Sequence, residues 1–210
     1  MSDSILIIGG GGHAKHVIET LRLTDPNVRL AILDKKPAGE VLGVPVIGTE
    51  EFLGRAKADG FGSFAMGIGG VRDNRPRADA FARARAAGLL PKSVVHPSAV
   101  IAASATMGAG TQCLSGAIIA AGAILGEDVI INSGAIVEHD CRVGDHVHIA
   151  SGAIVTGTVD IAAFVHVGAG AVIRQGLAVG AEALVAMGSV VTKNVPPKTT
   201  VMGNPARPRH

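Results

Sequence analysis

His139 is followed directly by a carboxylate, in the six-residue run Val137-Glu-His-Asp-Cys-Arg. An imidazole can take a proton at neutral pH, and a neighbouring Asp140 favours the imidazolium as it forms. The pair is therefore a candidate general base. Three more histidines, His146, His148 and His166, fall in the same stretch. His148 and His166 are eighteen residues apart. Of the rest, His16 lies within a helical spacing, His96 at the entry to a repeat and His210 at the terminus. Cys141, close to His139, offers a second chemistry as a reactive thiol, although both it and Cys113 read better as small core residues. A different chemistry is offered near the N-terminus, where Gly9-Gly-Gly-Gly-His-Ala-Lys follows an apolar run. Gly9, Gly11 and Ala14 fit the spacing G-x-G-x-x-A, and Asp34 sits about twenty residues on, where a ribose partner would stand. A helix opening there would offer free N–H groups to phosphates, with Lys15 and Lys35 adding charge.

The elements that hold these groups differ between the two halves. From Val95 to Pro196 the chain keeps a period of six through seventeen units. The first place is apolar in every unit, from Val95, Ile101 and Met107 to Val191, and the fifth is small or aliphatic apart from the slim Thr111 and Ser189. Neither a helix nor an ordinary strand keeps that phase, whereas a parallel β-helix does. Three units make one coil, the first place fills the centre, and the fifth is expected at the corner. Glycines at the second and fourth places suit positive φ or close backbone approach. His139 falls at the third, outward place. His148 and His166 share the sixth place, so they are expected to stack on adjacent coils about 5 Å apart, with at least one ring neutral.

The first ninety or so residues lack that period. Ser4–Gly9, Arg29–Asp34 and Gly62–Gly69 read as strands, and the residues after the glycines and from Asp73 to Gly88 read as helices, with Phe81 on a buried stripe. This is an open parallel α/β unit, too small for a full dinucleotide fold but sufficient for one nucleotide. The expected fold is an α/β Rossmann-like half-domain over residues 1–92, followed by a β-helix with a C-terminal tail over residues 93–210.

Net charge is +2 and aromatics make up 2% of the chain, so neither an electrostatic nor a stacking case for nucleic acid exists. No run of eighteen apolar residues lacks Gly, polar or charged breaks, and no secretory leader pattern opens the sequence, so no membrane association and a cytoplasmic location are expected.

The hexads, together with the ending Val201-Met-Gly-Asn-Pro-Ala-Arg, resemble the hexapeptide-repeat acyltransferases, whose coil is left-handed. With Gly-Gly-His-Ala-Lys at residues 11–15, the whole chain resembles the NeuD/PglD-type sugar O- and N-acetyltransferases. That resemblance implies a homotrimer with acetyl-CoA lying along the coil between subunits, a nucleotide-linked amino sugar in the first domain, and no metal. It implies His139 as the base and Asp140 as its partner. It gives substrate contacts to Gly11, Gly12, His13, Asp34, Lys35 and Gly67, and coenzyme contacts to His148 and Ala169. Direct transfer to the amine of a UDP- or GDP-linked 4-amino-4,6-dideoxyhexose is the expected reaction. Sialic acid O-acetylation, a non-catalytic nucleotide-sugar-binding trimer and a hexapeptide carbonic anhydrase holding zinc between subunits are the alternatives.

Overall fold

A computed structural model of the chain describes residues 4–36, 39–70 and 72–209. His210, noted above as the terminus, lies outside them. The chain divides into two compact units, Met1–Gly69 with Pro76–Pro97, and Gly70–Arg75 with Ser98–His210.

The first unit is built on a sheet in which β1 (Ser4–Ile8) lies between β2 (Arg29–Leu33) and β5 (Ser63–Met66), all parallel. The apolar run of β1 is buried on both sides, as a covered parallel sheet requires. Ile5 and Ile7 face Val17, Ile18 and Leu21 of α1 (Gly12–Thr24). Leu6 and Ile8 face the other way, in the cluster that holds Phe52, Phe61, Phe64 and Phe81. Phe81 belongs to α2 (Arg75–Ala86), and its ring meets Phe64 edge-on at 5.2 Å. These strands and helices match the sequence reading within two residues or so at most ends. Besides the edge strand Leu90–Pro91, which pairs with β5, two features do not appear in that reading. One is a hairpin of β3 (Glu40–Val41) and β4 (Val44–Gly48), turned through Leu42 and Gly43, both at positive φ. The other is a 3-10 helix at Glu50–Arg55. Two-residue and proline-bearing strands carry too little periodicity to be read, and a leucine in a left-handed turn is not a turn signal.

The second unit is a three-sided parallel β-helix. Each side is a two-residue strand made of the sixth place of one hexad and the first place of the next. From Val100–Ile101 to Val172–Ile173 each strand pairs in parallel with the strand eighteen residues on, as in Ile130↔His148↔His166↔Leu184, and the last turn shortens to sixteen, with Leu184 opposite Thr200. One sheet runs through Gln112–Cys113, Ile130–Ile131, His148–Ile149, His166–Val167 and Leu184–Val185. A second runs from Val100–Ile101 through Ile136–Val137 to Val190–Val191, and a third from Thr106–Met107 through Arg142–Val143 to Ala178–Val179. First-place residues from Cys113 to Val191 are buried, whereas Ile101 and Met107 in the first coil are half-buried.

The fifth place does not sit on the corner as expected. The turn occupies the third and fourth places, and the fifth opens the next side with its side chain inside. That explains its small residues, because two inward side chains per hexad share a narrow core. The two glycine places also separate by cause. From 110 to 188 every fourth-place residue has positive φ, including Asp128, Asp140, His146, Thr158, Phe164 and Glu182. Gly144, at a second place, has no such φ. It is needed because a Cβ there would stand 2.7 Å from the backbone nitrogen of Ala163 on the next coil.

Candidate active site

His139 stands on the edge where the second sheet turns into the third. Its carbonyl accepts the Thr158 N–H from the next coil at 2.9 Å, and the Asp140 N–H donates to Ala121 O on the previous one at 3.0 Å. The two residues are therefore fixed by backbone bonds from both sides. Asp140 takes the left-handed conformation of the fourth place (φ 58°), one that Asp tolerates better than most residues. That turn brings its carboxylate back to the ring, with Oδ2 3.0 Å from His139 Nδ1. The carboxylate can only accept, so Nδ1 carries the proton and Nε2 presents its lone pair. The His139 side chain is 53% exposed, so the imidazole stands open to solvent on this edge.

Cys141 is the next residue and is not available. It is fully buried in the core of the column, and its Sγ donates to Thr156 O at 3.1 Å. Burial pushes its thiol above the ordinary range, and pushes that of Cys113 up to about 12. The thiolate is the reactive form. Neither cysteine is therefore expected to react with a maleimide or iodoacetamide at pH 7 until the protein unfolds. Mass spectrometry of labelled native protein checks this, and rapid labelling of Cys141 would bring back a thiol mechanism.

The other histidines do not join His139. His148 and His166 lie in register on adjacent coils of the first sheet, with ring centroids 4.9 Å apart and edge-on. His148 Nδ1 is 2.8 Å from the Gly70 carbonyl, which can only accept, and Nε2 is 3.1 Å from the Asn132 amide nitrogen, which can only donate. The ring is thus a neutral Nδ1–H tautomer with both nitrogens engaged, and is 5% exposed. Asn74, equally buried, donates to Val165 O at 3.0 Å and holds the same Gly70–Arg75 segment on the column. His146 pairs with the buried Asp128 at 2.9 Å and stacks on Phe164, which ties it into a third edge of the column. Ala169 is exposed on the edge between the first and second sheets, one edge away from His139. Among the described residues no three His, Cys, Asp or Glu side chains gather as a metal site.

In the first unit, Gly11 caps α1 with no side-chain hydrogen bond, and Gly11 and Gly12 are open to solvent at the helix N-terminus. His13 is half-buried in the first turn, beside Gly69. Gly67 is buried, and a Cβ there would collide first with the Gly9 carbonyl oxygen and then meet Ile7 at 2.8 Å and Ala14 at 3.1 Å, so its bareness lets this loop close on the glycine loop and α1. Asp34 accepts the Gly10 N–H at 2.7 Å and the Lys36 N–H at 3.0 Å. Those bonds, the Lys36 N–H foremost, hold its carboxyl below the usual range. Asp34 therefore clamps the glycine loop, a role the spacing alone did not suggest. A cavity of about 820 Å³ opens here, walled by Gly9, Asp34, Lys35, Glu50, Asp79 and Arg83. The last three were missed in the sequence. Asp79 and Arg83 are one helical turn apart on α2, which was the available signal, and Arg83 pairs with Glu50 at 2.8 Å.

Residues 4–84 match the PglD N-terminal domain, and residues 122–157 match the six-repeat bacterial transferase hexapeptide. No curated protein matches the chain. Among solved structures, PerB from Caulobacter crescentus, in complex with CoA and GDP-perosamine, is 38% identical over 99% of this chain and 97% of that one, with a TM-score of 0.91. The acetyltransferase domain of PglB from Neisseria gonorrhoeae, in complex with acetyl coenzyme A, is 34% identical over the whole of both chains, with a TM-score of 0.92. A histidine-to-alanine variant of the Caulobacter GDP-perosamine N-acetyltransferase, with the same two ligands, is 36% identical over 99% of this chain and 97% of that one, with a TM-score of 0.91.

Proposed function

From the chain's membership of the NeuD/PglD-type sugar O-/N-acetyltransferases, in the left-handed β-helix hexapeptide superfamily, we propose that it acetylates the amine of a nucleotide-linked amino sugar with His139 as general base. The chain is an acetyl-CoA-dependent sugar N-acetyltransferase; the finer reading rests above all on the His139–Asp140 pair. The uncharged amine attacks the thioester carbonyl, and the new C–N bond forms. His139 Nε2 takes the proton that the nitrogen sheds, and Asp140 stabilises the imidazolium through the Nδ1–H. A backbone N–H on the same wall holds the carbonyl oxygen while it carries charge. The C–S bond then breaks, and the proton held on His139 goes to the departing sulfur. Amine, base and thioester need only be held together for this, with no covalent enzyme intermediate.

The nucleotide sugar is a 4-amino-4,6-dideoxyhexose carried on UDP or GDP. Its diphosphate meets the open N-terminus of α1 at Gly11, Gly12 and His13. Lys35 lies at the cavity wall and Asp34 and Gly67 set the loop. Acetyl-CoA is the co-substrate, with His148 and Ala169 in its binding wall. With both nitrogens of His148 engaged, its part is to shape that wall.

The working form is a homotrimer. In one column His139 and Ala169 stand on different edges, so a site that uses both needs two copies. The face between those edges supports this. Val100, Ile118, Ile136, Ile154, Val172 and Val190 form its outer surface, an apolar stripe with Val100 61% exposed. Among the described residues no helix is long and apolar enough to cross a membrane.

A panel of nucleotide-linked amino sugars with acetyl-CoA, read by free-thiol release, tests the assignment. Turnover of a UDP- or GDP-linked 4-amino sugar is expected, with the N-acetyl product identified by mass. Preference for a free sugar acid would overturn it, as would nucleotide-sugar binding with no thiol release from any acceptor.

A further inference from the structure

We infer that Gly157 is a positioning residue, and that its missing side chain is the seat of the His139 imidazole. The inference rests on His139 being the base. The two residues are eighteen apart, both at the third place of their hexads on the same edge, so one lies directly over the other. A Cβ built on Gly157 would stand 2.5 Å from His139 Nε2, 2.6 Å from Cε1 and 3.1 Å from Cδ2. Real Cβ atoms do not approach other heavy atoms below about 3.0 Å. The three nearest atoms all belong to that ring, so the imidazole makes the tightest approach to the place a side chain would take.

The backbone does not demand it either. Gly157 is absent from the residues with positive φ, unlike the fourth-place glycines. The same place on this edge carries Ala103, Ala121, Gln175 and Lys193 in other coils. Gly157 is buried although it sits on an outer corner, as expected if the ring lies across it. The imidazole is thus held in two ways. Asp140 holds Nδ1, and the bare Gly157 backbone leaves the space that the Nε2–Cε1 side of the ring occupies. A methyl group at residue 157 would push Nε2 outward and pull Nδ1 from Asp140. Displacing a reacting group by about 1 Å can cost on the order of 100-fold in rate.

The test is Gly157→Ala in the full chain, alone and combined with His139→Ala. Alanine keeps the backbone N–H, so only the Cβ is tested. Gly157→Ala alone is expected to lower kcat by about 10- to 100-fold, with KM for both substrates within about threefold, and to lower the melting temperature. In the His139→Ala background the same substitution should change neither residual turnover nor melting temperature, because no ring is left to displace. If Gly157→Ala does not fold, recovery of folding in the double variant reports the same contact, and failure to recover overturns the proposal. Unchanged kcat, or equal losses in both backgrounds, would also overturn it. Should His139→Ala itself turn over normally, the base reading fails. The melting temperatures would still decide whether the ring and the glycine share one space.

Discussion

His139→Ala should lower kcat by about 10²- to 10⁴-fold, the range contributed by a positioned general base, with KM for nucleotide sugar and acetyl-CoA little changed. The reason is geometric. Nε2 is the basic nitrogen because Asp140 holds Nδ1–H at 3.0 Å, and the side chain is open to solvent on the column's edge. Removing the ring takes away the basic nitrogen that receives the proton of the attacking amine, while the backbone bonds that fix residues 139 and 140 on the column remain. Cys141 cannot substitute, being sealed in the core with its thiol held protonated. The melting temperature should hold, since neither His139 nor Asp140 is a core residue. Steady-state kinetics with acetyl-CoA and amino sugar each varied against saturating levels of the other check the split between kcat and KM. Near-normal turnover would mean that holding the amine against the thioester suffices without a base.

Ile149→Ala should cost about 2–5 kcal/mol, the range for truncating a large aliphatic side chain in a packed core. Ile149 is fully buried at a first place, in register with Ile131 below and Val167 above. Its neighbours are fixed by ladder bonds on every side, so the coil cannot collapse into the cavity. For a chain of this length the loss corresponds to a fall of about 2–4 °C in melting temperature per kcal/mol. A stack of this kind is stabilised by the interfaces between neighbouring coils, and the substitution weakens two of them at mid-column. Thermal or urea unfolding followed by circular dichroism measures it. A cost below about 1 kcal/mol would mean that the first-place residues are not what fills the axis.

The hexad period and the burial of its first place were legible because every coil repeats one backbone solution. The N-terminal strands were legible too, since two-sided burial writes Ile5-Leu-Ile-Ile as an unbroken apolar run. The hairpin at Glu40–Val41 and Val44–Gly48 was not, because its strands are short and its turn uses Leu42. Nor was the loop-clamping role of Asp34, whose partners are N–H groups that leave no mark on residue type. The Arg83–Glu50 wall of the cavity joins residues thirty-three apart with no repeat to relate them.

By itself the sequence determined which residues stack on which. A fixed period of eighteen makes His148 the neighbour of His166, and Gly157 the neighbour of His139, with no coordinates needed. Only the tertiary structure decided how those neighbours meet. It turned Asp140 back onto Nδ1 through a left-handed corner, capped His148 on both nitrogens with Gly70 and Asn132, and laid the His139 ring over a bare backbone. The physical reason is that periodicity constrains backbone position along the column. The direction of a side chain, and the tautomer it adopts, depends on donors and acceptors that chains of unrelated sequence spacing bring to it.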